Sequence, residues 1–209
     1  MNYDIARKNL IEQQIKSWNV YKQNVIKSLY SVKRENFVPH EYKNFALSDF
    51  QIPINSSELM MSPLVEARLL QACLSDNHGE ILEIGTGLGY MASLLSKIYN
   101  SVVSYEINAL LAKKAHKNIM ENNVPNVTVV HGDGLKANLK DYNRKFDAIL
   151  LSGAVNQDPT YLSKFVNSNG KIIAIIGKKT LMEAVSFKKK CEYGLSKNTL
   201  FETKINFLH

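Results

Sequence analysis

Short apolar runs alternate with amphipathic segments along most of the chain. Apolar runs of strand length lie at residues 81–84, 102–105, 127–130, 146–151 and 172–176. Apolar residues at helical spacing lie at 6–18, 24–32, 63–73, 91–99, 110–122 and 161–165. Continuous apolar strands separated by helices are typical of a parallel sheet that is buried on both faces. The pattern therefore predicts an α/β fold of Rossmann-like type, a mainly parallel twisted sheet with helices on both faces.

Two regions depart from this alternation. Residues 182–190 and 199–208 are β-rich and flank a connection that contains Gly194, which predicts an antiparallel hairpin with a reversed final strand at one edge of the sheet. Residues 45–59 are mixed and contain proline, so we expect an extended loop with one short strand. Ser62 directly precedes Pro63, an arrangement that favours a helix N-terminus capped by Ser62.

A glycine-rich turn follows the first apolar run of the predicted sheet. Gly85, Gly87 and Gly89 alternate with other residues between the apolar run and a predicted helix. Glycine lets the backbone adopt unusual dihedral angles and approach a ligand closely, so this turn is a candidate site for a nucleotide-like cofactor. Glycine-rich turns also join strands to helices without any ligand. Whether this turn belongs to a cofactor site therefore depends on the residues at the ends of the following strands.

Polar residues stand at the ends of the strands that follow the glycine turn. Glu106 lies about 20 residues after the turn, where a nucleotide-binding βαβ unit places a carboxylate on the ribose hydroxyls. Asp133 ends the next strand and Ser152 follows the one after it. Because the carboxyl ends of parallel strands meet at one edge of the sheet, these residues predict a cofactor cleft there. Tyr90 stands where a dinucleotide fingerprint has its third glycine, which disfavours a nicotinamide dehydrogenase.

The same motifs resemble those of class I S-adenosylmethionine-dependent methyltransferases. The similarity rests on residues 83–90 (EIGTGLGY), Glu106, 131–134 (HGDG) and 146–149 (FDAI). Upstream, residues 32–39 (VKRENFVP), 52–54 (IPI) and 62–63 (SP) occur in an order that resembles the protein-L-isoaspartate O-methyltransferase family. This resemblance covers nearly the whole chain. It implies methylation of isoaspartyl carboxylates in damaged proteins, with S-adenosyl-L-methionine as cofactor and a protein or peptide as substrate.

The resemblance also implies roles for individual residues. Backbone amides around Gly85 and Gly87 are expected to contact the methionine moiety, and Glu83 is expected near its ammonium group. Glu106 is expected to accept hydrogen bonds from the ribose hydroxyls and Asp133 from the adenine amino group. The other expected cofactor contacts are Thr86, Ile107, Gly134 beside Asp133, and Ser152 near the methionine end.

The motif for the methyl acceptor departs from the family. The family carries a Thr-Ile-Ser-x-Pro stretch whose serine hydroxyl lies near the reacting carboxylate, whereas residues 59–63 read LMMSP. Leu59 therefore replaces the threonine and Met61 replaces the serine, and a thioether cannot donate a hydrogen bond. Ser62 is one residue away, and we retain it as a candidate catalytic residue beside its interpretation as a helix cap.

Three interpretations remain open at this point. The first is an isoaspartyl methyltransferase of reduced or altered activity. The second is a methyltransferase for another acceptor that suits an apolar wall, such as a small molecule or a base in nucleic acid. The third is a non-catalytic module that binds S-adenosylmethionine or a protein partner.

Composition adds a few expectations. A chain of 209 residues favours a single domain, divided here into a helical cap and substrate-side loop at 1–62 and a cofactor-binding core at 63–209. The formal charge of +7 is typical of a lysine-rich solvated surface and leaves nucleic acid open as a partner. The spacing of Cys73 and Cys191 fits neither a metal site nor a disulfide framework, and the histidines lack the paired spacing of metal ligands. No segment has the pattern of a signal peptide or of a membrane span. We therefore expect a cytoplasmic protein without metal.

Overall fold

The structure is a computed structural model that describes residues 2–136, 145–178, 181–190 and 194–208. A small two-stranded sheet contains β1 (Ile52–Pro53) and β2 (Leu59–Met60). The main sheet has seven strands in the order β5-β4-β3-β6-β7-β8-β9. These are β3 (Glu80–Ile84), β4 (Ser101–Glu106), β5 (Val127–His131), β6 (Phe146–Val155), β7 (Val166–Lys178), β8 (Leu181–Lys189) and β9 (Leu195–Thr203).

Helices surround this sheet, and most begin where the sequence predicts. The α-helices are α1 (Tyr3–Asn9), α2 (Gln23–Ser31), α3 (Pro63–Cys73), α4 (Tyr90–Leu95) and α5 (Ala109–Glu121). After α1 the chain continues as a π-helix (Leu10–Ile15) and a 3-10 helix (Lys16–Trp18). Further 3-10 helices are Arg34–Asn36, His40–Phe45 and Thr160–Phe165. The first helix starts earlier than predicted because the Asn2 side chain accepts hydrogen bonds from the backbone N–H groups of Asp4 and Ile5.

The centre of the main sheet is parallel and buried on both faces. β3 pairs in parallel with β4 on one side and with β6 on the other. Successive residues of β3 point to opposite faces, so Ile81 belongs to one apolar cluster and Leu82 to the other. The second cluster includes Leu162 from the 3-10 helix Thr160–Phe165. The predicted α/β fold with a mainly parallel sheet is confirmed.

The C-terminal hairpin is present, but one detail of its prediction is wrong. β8 is antiparallel to both β7 and β9, so the reversed strand is the penultimate one and β9 runs in the direction of the parallel strands. β9 begins earlier than predicted, because Leu195 already pairs with Lys189. It ends at Thr203 because the chain then turns back toward β6, where Phe207 bridges Ala154. Cys191 and His209 lie outside the described residues.

A membrane-spanning helix is not part of the described structure. Within the residues given above, none of the helices combines the length and the apolar character needed to cross a bilayer.

Candidate active site

A cavity opens at the carboxyl ends of β3, β4, β5 and β6, where the sequence predicted a cofactor cleft. The cavity together with its open mouth encloses about 930 Å³. Most of the predicted cofactor residues line it, namely Gly85, Thr86, Gly87, Glu106, Ile107, Asp133, Gly134 and Ser152. Glu83 and Ser62 are not among the described residues that form its walls.

The glycine turn places bare backbone along the cavity. Gly85 and Gly87 have φ angles of 100° and 56°, in the left-handed region that favours glycine. The backbone amides of Gly85 and Thr86 donate to the carbonyl of Tyr105 at 2.8 and 3.2 Å. The amide of Gly87 donates to Glu106 Oε2 at 2.8 Å. These donors already have partners in the protein, and the contact of the amides around Gly85 and Gly87 with the methionine moiety stays a prediction.

Glu106 is fixed in place by the turn that it faces. Its Oε2 accepts from Gly87 N, and its Oε1 accepts from the backbone N–H of Asn108 at 3.0 Å. Burial raises the pKa of the Glu106 carboxyl, while these backbone N–H groups act in the opposite direction. A carboxylate held by two backbone donors still has lone pairs to accept from a ligand, because each oxygen accepts more than one hydrogen bond.

The loop after β5 forms the opposite side of the cavity. A Cβ on Gly134 would lie 2.8 Å from Ile84 Cγ2 and 2.9 Å from Tyr105 Cβ, so only glycine fits there. Asp133 Oδ1 accepts from the backbone N–H groups of Leu135 and Lys136 at 3.0 and 3.2 Å. Asp133 therefore shapes the loop and also lines the cavity.

Glu83 lies beneath the cavity floor rather than on it. The side chain is fully buried, with Oε2 accepting from Ser104 Oγ at 2.6 Å and Oε1 from Ser152 Oγ at 2.7 Å. Burial raises the pKa of Glu83 to about 7. Thr86 Oγ1 joins the network at 2.6 Å from Ser104 Oγ. The predicted direct role of Glu83 is therefore corrected: its carboxyl orients Ser152, which does line the cavity.

Ser104 was missed by the sequence reasoning. It is fully buried in β4, within an otherwise apolar run, and a polar side chain at such a position is the signal of a buried partner.

One wall of the cavity comes from the chain that precedes the glycine turn. We call it the acceptor wall; it consists of Ile54, Glu58, Leu59, Met60, Met61 and Glu66. Met61, at the position of the family serine, is buried and lines the cavity. Ser62 is at the N-cap position of α3, but its side chain makes no capping hydrogen bond. The cap is supplied instead by Asp49 Oδ1, which accepts from the backbone N–H of Leu64 at 3.1 Å. Both predicted roles of the Ser62 hydroxyl, catalytic and capping, are therefore unsupported by its position.

The C-terminal residues 205–208 form a further wall that the sequence did not reveal. Leu208 N donates to Ala154 O at 2.9 Å, and Ala154 N donates to Asn206 O at 2.8 Å. The Leu208 side chain packs over the turn: its Cδ2 lies 2.8 Å from the position of a Cβ on Gly85. β6 is irregular between Leu150 and Ala154, which turns Ser152 toward the cavity.

The charged side chains that line the cavity are acidic, and two of them form ion pairs, Glu66 with Arg34 and Asp133 with Lys136. Glu58, Glu66, Glu106 and Asp133 line it, and none of its described lining residues is a lysine or an arginine. Glu58 and Glu106, which form no ion pair among the described residues, favour a cationic ligand over a phosphate. In the described part of the chain, no group of three or more His, Cys, Asp or Glu residues is arranged to hold a metal ion.

Comparison with known proteins decides the family. The model of the family described as protein-L-isoaspartate(D-aspartate) O-methyltransferase matches residues 5–206. The chain belongs to this family. A protein-L-isoaspartate O-methyltransferase of Petrotoga mobilis is 29% identical over 180 residues, covering 86% of this chain and 84% of the relative. The protein-L-isoaspartate O-methyltransferase 2 of Rhodopseudomonas palustris is 32% identical over 170 residues, covering 81% and 77%.

A solved structure agrees with the assignment of the fold. A Plasmodium falciparum protein assigned as a protein-L-isoaspartate O-methyltransferase, in complex with S-adenosyl-L-homocysteine, superposes with a TM-score of 0.82 at 19% identity. The match covers 100% of this chain and 99% of the other. The Rossmann-like methyltransferase fold expected from the sequence is thus confirmed.

Proposed function

We propose that this member of the protein-L-isoaspartate O-methyltransferase family methylates the free carboxylate of isoaspartyl residues in damaged proteins, with S-adenosyl-L-methionine as methyl donor. The observation that carries the proposal is the cavity at the carboxyl ends of four strands, where Glu106 is held by the glycine turn. Family membership over residues 5–206 narrows the reaction to this class.

The residues of the cavity fit this cofactor. We assign the ribose hydroxyls to Glu106, whose carboxylate is already oriented by backbone N–H groups. Asp133 and Gly134 would hold the adenine, since Gly134 leaves room that a Cβ would fill. Ser152, Thr86 and Ile107 complete the lining, and the acidic walls suit a ligand that carries ammonium and sulfonium charges.

The protein's contribution to methyl transfer is positioning. When bound, S-adenosylmethionine supplies a methyl group on a positively charged sulfur, so an attacking carboxylate oxygen displaces a neutral thioether and no proton has to be moved. An isoaspartyl carboxylate is ionised at neutral pH and needs no general base. The chain has to align the acceptor and exclude water. Two hydrogen bonds join the C-terminal segment to the chain around β1 and β2, which carries part of the acceptor wall: Asn206 Nδ2 donates to Ser57 O at 2.9 Å, and Gln51 Nε2 donates to Lys204 O at 2.5 Å.

The charge of the cavity supports a protein acceptor over nucleic acid. Glu58 and Glu106 line the cavity without an ion-pair partner among the described residues, which disfavours a phosphate backbone there despite the formal charge of +7. We extend the proposal to a single domain over residues 1–209, since Leu10 of the N-terminal part and Ile81 of the core share one apolar cluster.

A cytoplasmic location is part of the proposal and is consistent with the free, buried thiol of Cys73.

The proposal is tested by transfer of labelled methyl from S-adenosylmethionine to two peptides that differ only in an isoaspartyl or an aspartyl linkage. Cofactor binding is measured on the same sample by titration calorimetry. We expect the isoaspartyl peptide to be labelled selectively. Cofactor binding without labelling of either peptide would refute the proposed acceptor, and absence of cofactor binding would refute the assignment of the cavity.

A further inference from the structure

Met61 leaves the acceptor wall without the hydroxyl that the family places there, and the wall offers few polar substitutes. Among the described residues of the acceptor wall, the polar side chains are Glu58 and Glu66. Glu58 is only half-buried and its Oε2 contacts the side-chain amides of Asn55 and Asn108, whereas Glu66 is buried, and burial favours the neutral form of a carboxyl, which can donate a hydrogen bond. Glu66 is therefore the group to consider.

Glu66 is held beside Met61 by a single buried arginine. Arg34 Nε donates to Glu66 Oε2 at 3.0 Å, and Arg34 Nη2 donates to the carbonyl of Met61 at 2.6 Å. Both side chains are buried, with 1% and 2% of their surface exposed. Arg34 Nη1 also donates to Ala46 O at 2.6 Å, which fixes the guanidinium. Glu66 thus has one defined orientation, with Oε2 toward Arg34.

The second oxygen of Glu66 remains for the cavity. Among the described residues, the one hydrogen bond that Glu66 accepts on its side chain is at Oε2. Because Glu66 also lines the cavity, Oε1 is the atom that a bound acceptor can meet. An ionised carboxyl there would repel an isoaspartyl carboxylate, whereas a protonated one would donate a hydrogen bond to it.

We propose that Glu66, in its protonated form, orients the isoaspartyl carboxylate through an O–H at Oε1 and thereby replaces the serine hydroxyl that Met61 removes. This inference rests on the proposed function and assigns Glu66 as an acceptor-binding residue. Arg34 is the positioning residue, since it keeps Oε2 occupied and leaves the proton on Oε1.

The charged and titratable groups around Glu66 support a neutral form. Burial raises the pKa of Glu66 to about 7; Arg34 acts against this shift and the Asp49 carboxylate adds to it. Glu83 lies near enough that the charge of Glu66 helps to raise the pKa of Glu83. Burial also raises the pKa of the Tyr90 hydroxyl, which therefore stays neutral. The active form is present below the pKa of Glu66 and is lost as the pH rises through it.

The experiment measures binding of a fluorescent isoaspartyl peptide to the protein saturated with S-adenosyl-L-homocysteine, so that no turnover occurs. Affinity is determined between pH 6 and pH 8.5, and kcat/KM for methyl transfer is measured in parallel with S-adenosylmethionine. A complex that requires one proton loses about tenfold in affinity for each pH unit above the pKa of the group that carries it. We therefore expect wild-type affinity to fall at least tenfold over this range.

The Glu66→Gln variant is the matched test. Glutamine keeps an acceptor for Arg34 and an N–H donor for the peptide carboxylate, so it should fold, bind the peptide and show a flat pH dependence. Glu58→Gln, on the same wall, should keep the wild-type fall. Met61→Ser should restore affinity at pH 8.5, because a hydroxyl donates at any of these pH values.

Each other outcome has a distinct meaning. A Glu66→Gln profile that parallels wild type overturns the role of Glu66 while leaving the proposed function standing. Wild-type affinity that increases with pH also overturns the role of Glu66, because the form that binds the peptide would then be the deprotonated one. A loaded wild-type protein that binds no isoaspartyl peptide at any pH refutes the proposed function itself.

Discussion

Replacement of Glu106 by alanine is the perturbation that most directly probes the proposed cofactor site. The change removes both oxygens that accept from the backbone N–H groups of Gly87 and Asn108, the oxygens that we propose bind the ribose hydroxyls. Hydrogen bonds to a charged group contribute about 1.5–3 kcal/mol each. Loss of two ribose hydrogen bonds at the lower end of that range is about 3 kcal/mol, or about a hundredfold in Kd.

The assay is calorimetric titration of S-adenosyl-L-homocysteine into wild type, Glu106→Ala and Glu106→Gln. Glutamine retains one acceptor oxygen, so we expect an intermediate loss of about tenfold. Thermal unfolding of the free proteins serves as the control, because the alanine variant also leaves the Gly87 amide without its partner. A folded Glu106→Ala protein that binds within threefold of wild type would refute the ribose assignment.

Three further predictions concern the elements that support the cavity. At pH 8.5, where Glu66 is ionised, Arg34→Met breaks the buried ion pair and should lower the free energy of unfolding by about 3–5 kcal/mol in urea titrations, and a loss below about 1 kcal/mol would contradict this. Gly134→Ala forces a Cβ to within 2.8 Å of Ile84 and should cost about 1–3 kcal/mol of stability, whereas an unchanged unfolding midpoint would show that the loop yields freely. Burial raises the pKa of Glu83 from 4.5 to about 7. The stability that the neutral carboxyl contributes is therefore fully present below pH 4.5 and is lost as the pH rises through about 7. Glu83→Gln should remove that loss, and denaturant midpoints of wild type and variant that stay parallel from pH 4.5 to 8 would argue against it.

The sequence predicted which strand ends and turn residues meet at the cavity because the signals for them are local. The glycine turn follows directly on β3, and Glu106 and Asp133 stand at the ends of the next strands, so topology alone brings them to one sheet edge. Their contacts were harder to predict. The backbone N–H groups of the glycine turn donate to Tyr105 O and Glu106 Oε2. These contacts depend on the register between β3 and β4.

The acceptor half depends on residues that are distant in sequence. Arg34 and Glu66 are 32 positions apart, and no periodicity relates a buried arginine in a 3-10 helix to a carboxylate in α3. Leu208 reaches the glycine turn only because the chain reverses after β9 and pairs with Ala154. A strand pattern cannot predict such a return, since it depends on tertiary packing. Ser62 shows the reverse error: its sequence context fits a cap, but Asp49 is placed better to supply one.

The central claim is that a carboxylate oxygen receives the methyl group in a cavity whose family serine is absent. It is tested most directly by the bond that the product contains. After reaction of the isoaspartyl peptide with labelled S-adenosylmethionine, the purified product is exposed to mild base and volatile label is collected. The account predicts a methyl ester, so the label should be released as methanol. Label that stays on the peptide in base would place the methyl group on nitrogen or carbon and would contradict the proposed reaction.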